Sequence, residues 1–164
     1  MINGGHNMSD ITTEIENMEI TNELQEENSK KYLTFLADGL IFGVKVDYVT
    51  EIITNHSITM LPMLPDYLKG IINLRGQIIP ILDIRMRINK QENTTNETSC
   101  VIVLNIDSIY IGILVDMVSQ VTDINEDKIS PPPANNKQEL INGILSLPDG
   151  TVLLLLDCNL LVNN

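Results

Sequence analysis

Four aspartates are the residues of this sequence whose type and spacing could support acid–base chemistry. They are Asp47, Asp83, Asp116 and Asp157, and each follows an apolar run. Paired carboxylates can act as a general acid and a general base. These four, however, occupy equivalent places in two similar halves of the chain, and carboxylates repeated at strand ends are typical of turn or cap residues. We therefore interpret them as structural.

The sequence also gives little support for a metal site or for nucleophilic catalysis. The histidines are His6, in the N-terminal segment, and His56, in an expected loop, with no cysteine or carboxylate at metal-ligand spacing. Cys100 and Cys158 lie within aliphatic runs, which favours reduced, buried thiols over a disulfide. The sequence has no glycine-rich phosphate loop and no histidine near a candidate nucleophile. We expect no enzymatic activity, no metal and no cofactor, which leaves a binding module as the leading class.

Charge and composition narrow the class of partner. The 164 residues carry a formal net charge of −12, which excludes nucleic acid as the main partner because phosphate binding needs clustered lysine and arginine. An apolar content of 43% is enough to fill the core of one domain or of two very small ones. No secretion signal is visible and the longest aliphatic run, Val152–Leu156, is too short to span a bilayer. We expect a cytoplasmic protein that does not insert into the membrane.

The N-terminal segment, residues 1–29, differs from the rest of the chain. It contains seven acidic residues and neither lysine nor arginine, so that it carries −7 and leaves −5 for the remainder. Ile11, Ile15 and Met18 fall at roughly helical spacing, which allows a short amphipathic helix that docks on a partner. So few apolar groups do not offset the entropy of ordering, and we expect a disordered acidic tail followed by a folded domain over residues 30–162.

The remaining sequence contains an internal repeat of about 70 residues. "IFGVKVDYVTEI" (41–52) and "YIGILVDMVSQVTDI" (110–124) share their Gly, Asp and Val positions. "GIINLRGQIIPILDI" (70–84) and "GILSLPDGTVLLLLD" (143–157) share a second pattern, and the two patterns occur in the same order twice. The repeat predicts two copies of one small β-module, over about residues 30–88 and 99–158, joined by a polar linker.

Alternating apolar residues and turn signals predict five short strands in each copy. The strands of the first copy are 31–36, 40–46, 49–54, 71–74 and 77–84; those of the second are 99–106, 109–115, 121–124, 144–147 and 151–156. "ADG" (37–39) and "PDG" (148–150) predict hairpin turns, and "DCNLLVNN" (157–164) a short terminal helix. Since so few short strands are unstable as an open sheet, we predict an all-β fold of two packed barrels.

Two features break the repeat and are candidates for a binding surface. Glu51 and Arg75 occur in the first copy only, where they could form a minor surface ion pair. "ITMLPMLPDYLKG" (58–70) carries methionines and leucines between prolines. This segment is either an adaptable exposed patch or a loop folded on its own barrel, and the sequence favours neither.

The phrase "KGIINLRGQIIPILDIR" (69–85), with "YLTFLADGLIFGVKVDYVTEI" (32–52) before it and "CVIVLNIDSIYIGILVDMVSQV" (100–121) after it, resembles the chemotaxis coupling protein CheW family. The resemblance implies two five-stranded barrels of SH3-like form that share an apolar core and can exchange segments. It also implies a non-catalytic adaptor, a monomer when free, that couples chemoreceptors to the histidine kinase CheA at the inner face of the membrane. The alternatives are a scaffold of a non-chemotactic array and a small-molecule-binding double barrel.

The resemblance further implies two docking surfaces. The receptor-facing groove, which takes the cytoplasmic tip of the chemoreceptor, would involve an ion pair between Glu51 and Arg75 and four further residues: Val49, Cys100, Gly112 and Val118. The patch for the regulatory domain of CheA would lie on the barrel of the first copy and involve Leu61, Pro62, Met63, Lys69 and Gly70.

Overall fold

The computed structural model describes residues 8–54, 57–89, 97–133 and 140–163. Ten strands and three α-helices follow one another along these residues. The helices are α1 (Met8–Glu27), α2 (Ile84–Asn89) and α3 (Cys158–Val162). The strands are β1 (Ser29–Ala37), β2 (Leu40–Lys45), β3 (Val49–Ile53), β4 (Leu68–Leu74), β5 (Gln77–Asp83), β6 (Cys100–Ile106), β7 (Ile109–Val115), β8 (Met117–Asn125), β9 (Ile141–Ser146) and β10 (Val152–Leu156).

The ten predicted strands and the terminal helix are confirmed. The largest difference is in β8, which begins at Met117 rather than at residue 121. The predicted turn at 37–39 is a two-residue hairpin connection, with positive φ at Asp38 and Gly39. Asp157 caps α3 by accepting a hydrogen bond from the backbone N–H of Asn159, as expected of a cap residue.

The strands form two five-stranded sheets that exchange segments between the copies. We call β8-β1-β2-β10-β9 barrel one and β3-β6-β7-β5-β4 barrel two. Two parallel pairings join the copies, β10 with β2 and β5 with β7. The sequence placed the two copies at about residues 30–88 and 99–158 and allowed segments to exchange between barrels; in the structure each barrel takes two strands from one copy and three from the other.

Three apolar clusters hold the two sheets together. Barrel one encloses Tyr32, Ile124, Leu145, Leu153 and Leu155. Barrel two encloses Ile72, Ile79, Ile81, Val101, Val103 and Leu114. The largest cluster, which we call the shared cluster, lies between the sheets and takes residues from both, among them Phe35, Phe42, Ile102, Ile113 and Leu156. Because alternate residues of β6 face the barrel interior and the shared cluster, that strand is buried on both faces.

The N-terminal segment differs from the disordered tail that we expected, because residues 8–27 form an α-helix. No Gly or Pro, the strongest helix breakers, interrupts these residues. The hydroxyl groups of Thr12, Thr13 and Thr21 donate to the carbonyl oxygens four residues earlier, which satisfies the hydroxyls without favouring the helix. The side chains of residues 8–21 are exposed and take no part in the apolar clusters of the barrels.

Candidate functional site

The ion pair expected between Glu51 and Arg75 is present on the surface of barrel two. An Nη atom of Arg75 lies 3.0 Å from Oε1 of Glu51. Arg75 occupies the two-residue turn between β4 and β5, where its φ of +53° matches the right-handed twist of the hairpin. Glu51 is on β3, at the opposite edge of the sheet from β4. The pair therefore links β3, one edge strand of barrel two, to the hairpin turn that follows β4, the other edge strand.

The other four residues expected in the receptor-facing groove lie in two different environments. Val49 and Val118 are half-buried and pack against the shared cluster, which contains the buried Cys100. The backbone of Val118 is hydrogen-bonded to the thiol of Cys100. Gly112 instead lies inside barrel two, where an added Cβ would meet Ile81 Cδ1 at 2.5 Å. Cys100, buried in the shared cluster, and Gly112, buried inside barrel two, are therefore not exposed.

The segment 57–67, which we call the patch loop, carries the exposed apolar residues. Met60 is 75% exposed, Leu61 43% and Met63 101%. Of the two interpretations left open by the sequence, the structure confirms the exposed patch for these residues. Pro62 is exposed beside them, and the loop continues into β4, an edge strand of barrel two. The patch thus lies on the barrel that contains the first copy's strands β3 to β5.

Both ends of the patch loop are held against barrel two. At one end, Thr59 and Ile71 exchange two backbone hydrogen bonds of 2.9 Å. At the other end, the N–H of Asp83 donates to the carbonyl oxygen of Tyr67, and the Arg87 guanidinium lies 4.6 Å from the centre of the Tyr67 ring. Anchoring at both ends keeps the apolar side chains between them exposed.

Gly70 makes the close approach of the patch loop possible, and Lys69 stands next to it. Gly70 is buried, with φ at +152°, and a Cβ there would overlap the carbonyl oxygen of Thr59. Lys69 is half-buried on β4. Of the five residues expected at the kinase-facing patch, Leu61, Pro62 and Met63 present the surface, Lys69 flanks it and Gly70 supports it.

At the equivalent position of barrel one, the described residues next to the bridge include no exposed methionine or leucine. Ser130 and Ile144 form the same bridge that Thr59 and Ile71 form in barrel two. The residues that follow are the prolines 131–133 instead of Met-Leu-Pro. The two barrels therefore present different surfaces at matching places.

The sequence argument missed a buried ion network at the junction of the two barrels. Arg85, at the start of α2, is 0% exposed; its Nε and an Nη donate to the two carboxylate oxygens of Asp83 at 2.9 Å. Its other Nη donates to Asp116 Oδ1 at 2.9 Å. Hydrogen bonding to Asp83 raises the pKa of Arg85. An Asp-X-Arg sequence directly after a wholly apolar strand was the available signal.

Two of the four repeated aspartates thus have a structural ionic partner in Arg85, and Asp157 is a helix cap. Asp47 lies in the short 3₁₀ turn Val46–Tyr48 between the barrels. His6 and His56 lie outside the described residues. Within the described ranges, there is no group of three or more His, Cys, Asp or Glu side chains that could hold a metal ion.

Both cysteines are free and buried, as predicted. Burial and the neighbouring Asp157 carboxylate raise the pKa of Cys158 to about 12, and burial raises the pKa of Cys100. A cysteine thiol in the unfolded chain ionises near pH 8.5. Because the pKa of each thiol is higher in the folded protein, folding favours its protonated form.

The raised pKa of Cys158 predicts a pH dependence of stability. The stabilisation is fully present below the pKa of the unfolded thiol and is lost as the pH rises toward the folded value of about 12. Urea unfolding between pH 8 and 12 should therefore show a steeper fall of the free energy of unfolding in the wild type than in Cys158→Ala. Equal slopes would contradict the assignment, because the lysines and tyrosines titrate in both proteins.

A double barrel with a shared apolar core, and with different exposed surfaces at matching places, defines a small protein-interaction domain. The chain belongs to the CheW-like domain family, which matches residues 31–164. Proteins of this family are non-catalytic scaffolds of chemotaxis. Helix α1 precedes the matched region.

Individual relatives agree with the family assignment. The chain is 36% identical over 104 residues to the chemotaxis protein CheW of Klebsiella aerogenes, covering 63% of each protein. It is 28% identical over 116 residues to CheW of Treponema pallidum, covering 68% of this chain and 65% of that protein. The matched part thus spans a little less than two thirds of these two relatives.

The fold is that of a solved CheW protein. The scaffolding protein TtCheW of Thermoanaerobacter tengcongensis superposes with a TM-score of 0.76 at 30% identity, over 82% of this chain and 93% of that one. The two five-stranded sheets are therefore SH3-like barrels, as the resemblance implied. Among the described residues, we find no helix with the length and apolar character needed to cross a bilayer.

Proposed function

We propose that this protein is a non-catalytic adaptor that couples chemoreceptors to the histidine kinase CheA. The observation that carries the proposal is the presence of two separate exposed features on barrel two, the Glu51–Arg75 pair and the apolar patch loop. An adaptor that binds two partners at once needs two surfaces that do not overlap. In this proposal the protein is cytoplasmic, monomeric when free, and recruited to receptor arrays at the inner face of the membrane.

The receptor-facing surface is proposed to take the helical tip of a chemoreceptor. An amphipathic helix needs an apolar strip to lie on, flanked by polar groups that set its orientation. Val49 and Val118, half-buried against the shared cluster, supply apolar surface, and the Glu51–Arg75 pair supplies the polar flank. Cys100 lies in the cluster against which both valines pack, and Gly112 is buried inside barrel two.

The kinase-facing surface is proposed to take the regulatory domain of CheA, which is similar in fold. The exposed Leu61, Pro62 and Met63 give a small apolar centre, and Lys69 gives a charge at its margin. Gly70 supports the loop from beneath. A patch of this kind fits a reversible contact of modest size, in which methionine adapts to the partner.

Arg75→Glu is expected to weaken receptor binding without destabilising the fold. Arg75 is 77% exposed, so loss of its ion pair should change the free energy of unfolding by less than about 1 kcal/mol. Placing a second carboxylate beside Glu51 should nevertheless remove the positive charge from the receptor-facing surface. A pull-down with a receptor tip fragment, with urea unfolding in parallel, measures both. Unchanged receptor affinity would refute the assignment of Arg75.

Lys69→Glu is expected to weaken binding to the CheA regulatory domain about tenfold or more, since it reverses a charge at the margin of the patch. Calorimetric titration of wild type and variant measures the effect, and Lys31→Glu, on β1 of barrel one, is the matched charge control. Saturable one-to-one binding weakened only by Lys69→Glu supports the proposed patch. No binding by well-folded wild-type protein at tens of micromolar would contradict the coupling function.

A further inference from the structure

The Arg85 network joins the two barrels at the place where the chain crosses between them. Asp116 is the single residue between β7 of barrel two and β8 of barrel one. Its Oδ1 accepts from Arg85, while its Oδ2 accepts from the backbone N–H of Asp38 at 2.8 Å. Its own N–H donates to the carbonyl oxygen of Leu36 at 2.9 Å. Asp116 is thus fixed by barrel one on one side and by Arg85 on the other.

This crossover lies next to the proposed receptor-facing surface. Val118, two residues after Asp116, packs on the shared cluster and is hydrogen-bonded to the Cys100 thiol. Met117, between them, is 40% exposed. A shift of the β8 start would therefore move Asp116 and Val118 together.

The other end of the network reaches the patch loop. Arg85 holds both carboxylate oxygens of Asp83, and the backbone N–H of Asp83 donates to the Tyr67 carbonyl oxygen at 2.8 Å. Arg87, two residues after Arg85 on α2, lies over the Tyr67 ring. Hydrogen bonds, joined by the covalent bonds within Asp83, thus connect Asp116, just before β8, to Tyr67 at the end of the patch loop.

Among the described residues of the second copy, no arginine occupies the matching place. Asp157 directly follows β10, whereas Asp83 is the last residue of β5, and Asn159 stands where Arg85 stands in the first copy. The carboxylate of Asp157 accepts from the backbone N–H of Asn159 and caps α3. Closing a barrel therefore does not by itself require a buried arginine at this position.

We propose that Arg85 is a positioning residue that fixes the crossover at Asp116 relative to the patch loop, so that binding at the receptor-facing surface changes affinity at the kinase-facing surface. This inference rests on the proposed function. Two sites are coupled when both bias the arrangement of one element. In this proposal that element is α2, because Arg85 bonds to Asp116, two residues before Val118, and Arg87 lies over the ring of Tyr67 in the patch loop.

The test compares Asp116→Asn with Asp157→Asn. Asparagine at 116 keeps an oxygen for the Asp38 N–H but removes the charge that holds Arg85, whereas asparagine at 157 still caps a helix. In the free protein, amide hydrogen exchange at Asp83 is expected to quicken several-fold in Asp116→Asn and to stay unchanged in Asp157→Asn. Unchanged exchange at Asp83 in both variants would overturn the proposal.

The coupling itself is measured by calorimetry, as the ratio of the Kd of the CheA regulatory domain without and with a saturating receptor tip fragment. We expect a ratio different from one in the wild type and in Asp157→Asn, and a ratio moved at least about twofold toward one in Asp116→Asn. Arg85→Lys, which keeps the charge but loses the planar fork, should act like Asp116→Asn.

The outcomes separate this inference from the proposed function. A wild-type ratio of one, or a ratio that Asp116→Asn leaves unchanged, overturns the coupling role of Arg85 while both partners still bind. Failure of either partner to bind the wild type at all overturns the proposed function and the coupling with it.

Discussion

Arg85→Met is expected to lower the free energy of unfolding by about 3–5 kcal/mol. Arg85 is fully buried, and its partner Asp83 has a side chain only 2% exposed. Removing the guanidinium leaves the Asp83 carboxylate, and in part that of Asp116, without a counter-charge in a site closed to water. Urea unfolding followed by circular dichroism measures the loss.

Lys31→Met is the matched control, because it removes a cation from an ion pair at a similar distance but in water. Lys31 Nζ lies 3.1 Å from Asp123, and both side chains are 66% exposed. The expected change is below about 1 kcal/mol. A loss from Arg85→Met no larger than that from Lys31→Met would mean that the buried network adds nothing to stability.

The strands could be predicted from the sequence because their signals are local. Runs of mostly apolar residues mark β1 and β2 as strands buried on both faces. The Asp-Gly pair at 38–39 supplies the positive φ that a two-residue hairpin needs. The same reasoning located the turn at 148–150 and the cap at Asp157. Each of these features is decided within a few residues.

The exchange of strands between the barrels could not be predicted in this way. The repeat makes β5 and β10 equivalent in sequence, so their patterns do not say which of β2 and β7 is the partner of each. Strand pairing across copies is decided by tertiary packing around the shared cluster, not by periodicity. The sequence therefore indicated two barrels that can exchange segments, without saying which strands exchange.

Arg85 was missed for a related reason. An arginine at the end of a strand is ordinarily solvated, and only the position of Asp116, 31 residues away, makes its burial possible. Helix α1 was named only as the alternative to a disordered tail, because Ile11, Ile15 and Met18 are few apolar residues to offset the entropy of ordering. For Arg85, the deciding contact leaves no periodic signal.

The candidate site was predicted in part. Broken symmetry between the copies directed attention to Glu51, Arg75 and the patch loop, and the structure brings the first two together and exposes the third. The resemblance to a family added Gly112, which the structure places inside barrel two. Asymmetry in a repeat thus located surface features that composition did not.

Gly70→Ala is expected to lower the free energy of unfolding by about 3–5 kcal/mol and to weaken binding of the CheA regulatory domain more than tenfold. The added Cβ would overlap the Thr59 carbonyl oxygen, at a φ of +152° that alanine rarely adopts. Relief of the overlap requires loss of the two hydrogen bonds between Thr59 and Ile71, and with them one anchor of the patch loop. Urea unfolding and calorimetric titration measure the two effects.

Gly150→Ala separates the effect of unfavourable backbone φ from the effect of steric overlap by the added Cβ. Gly150 also has a positive φ, +87°, but an added Cβ would meet nothing within 4 Å, and the residue lies in the turn before β10 of barrel one. Its replacement should cost about 1–2 kcal/mol from backbone strain alone and leave kinase binding unchanged. If Gly70→Ala proves no more harmful than Gly150→Ala, the close approach of the patch loop does not depend on glycine. If it destabilises the protein but binding persists, the patch loop does not need its Thr59 anchor to present Leu61 and Met63.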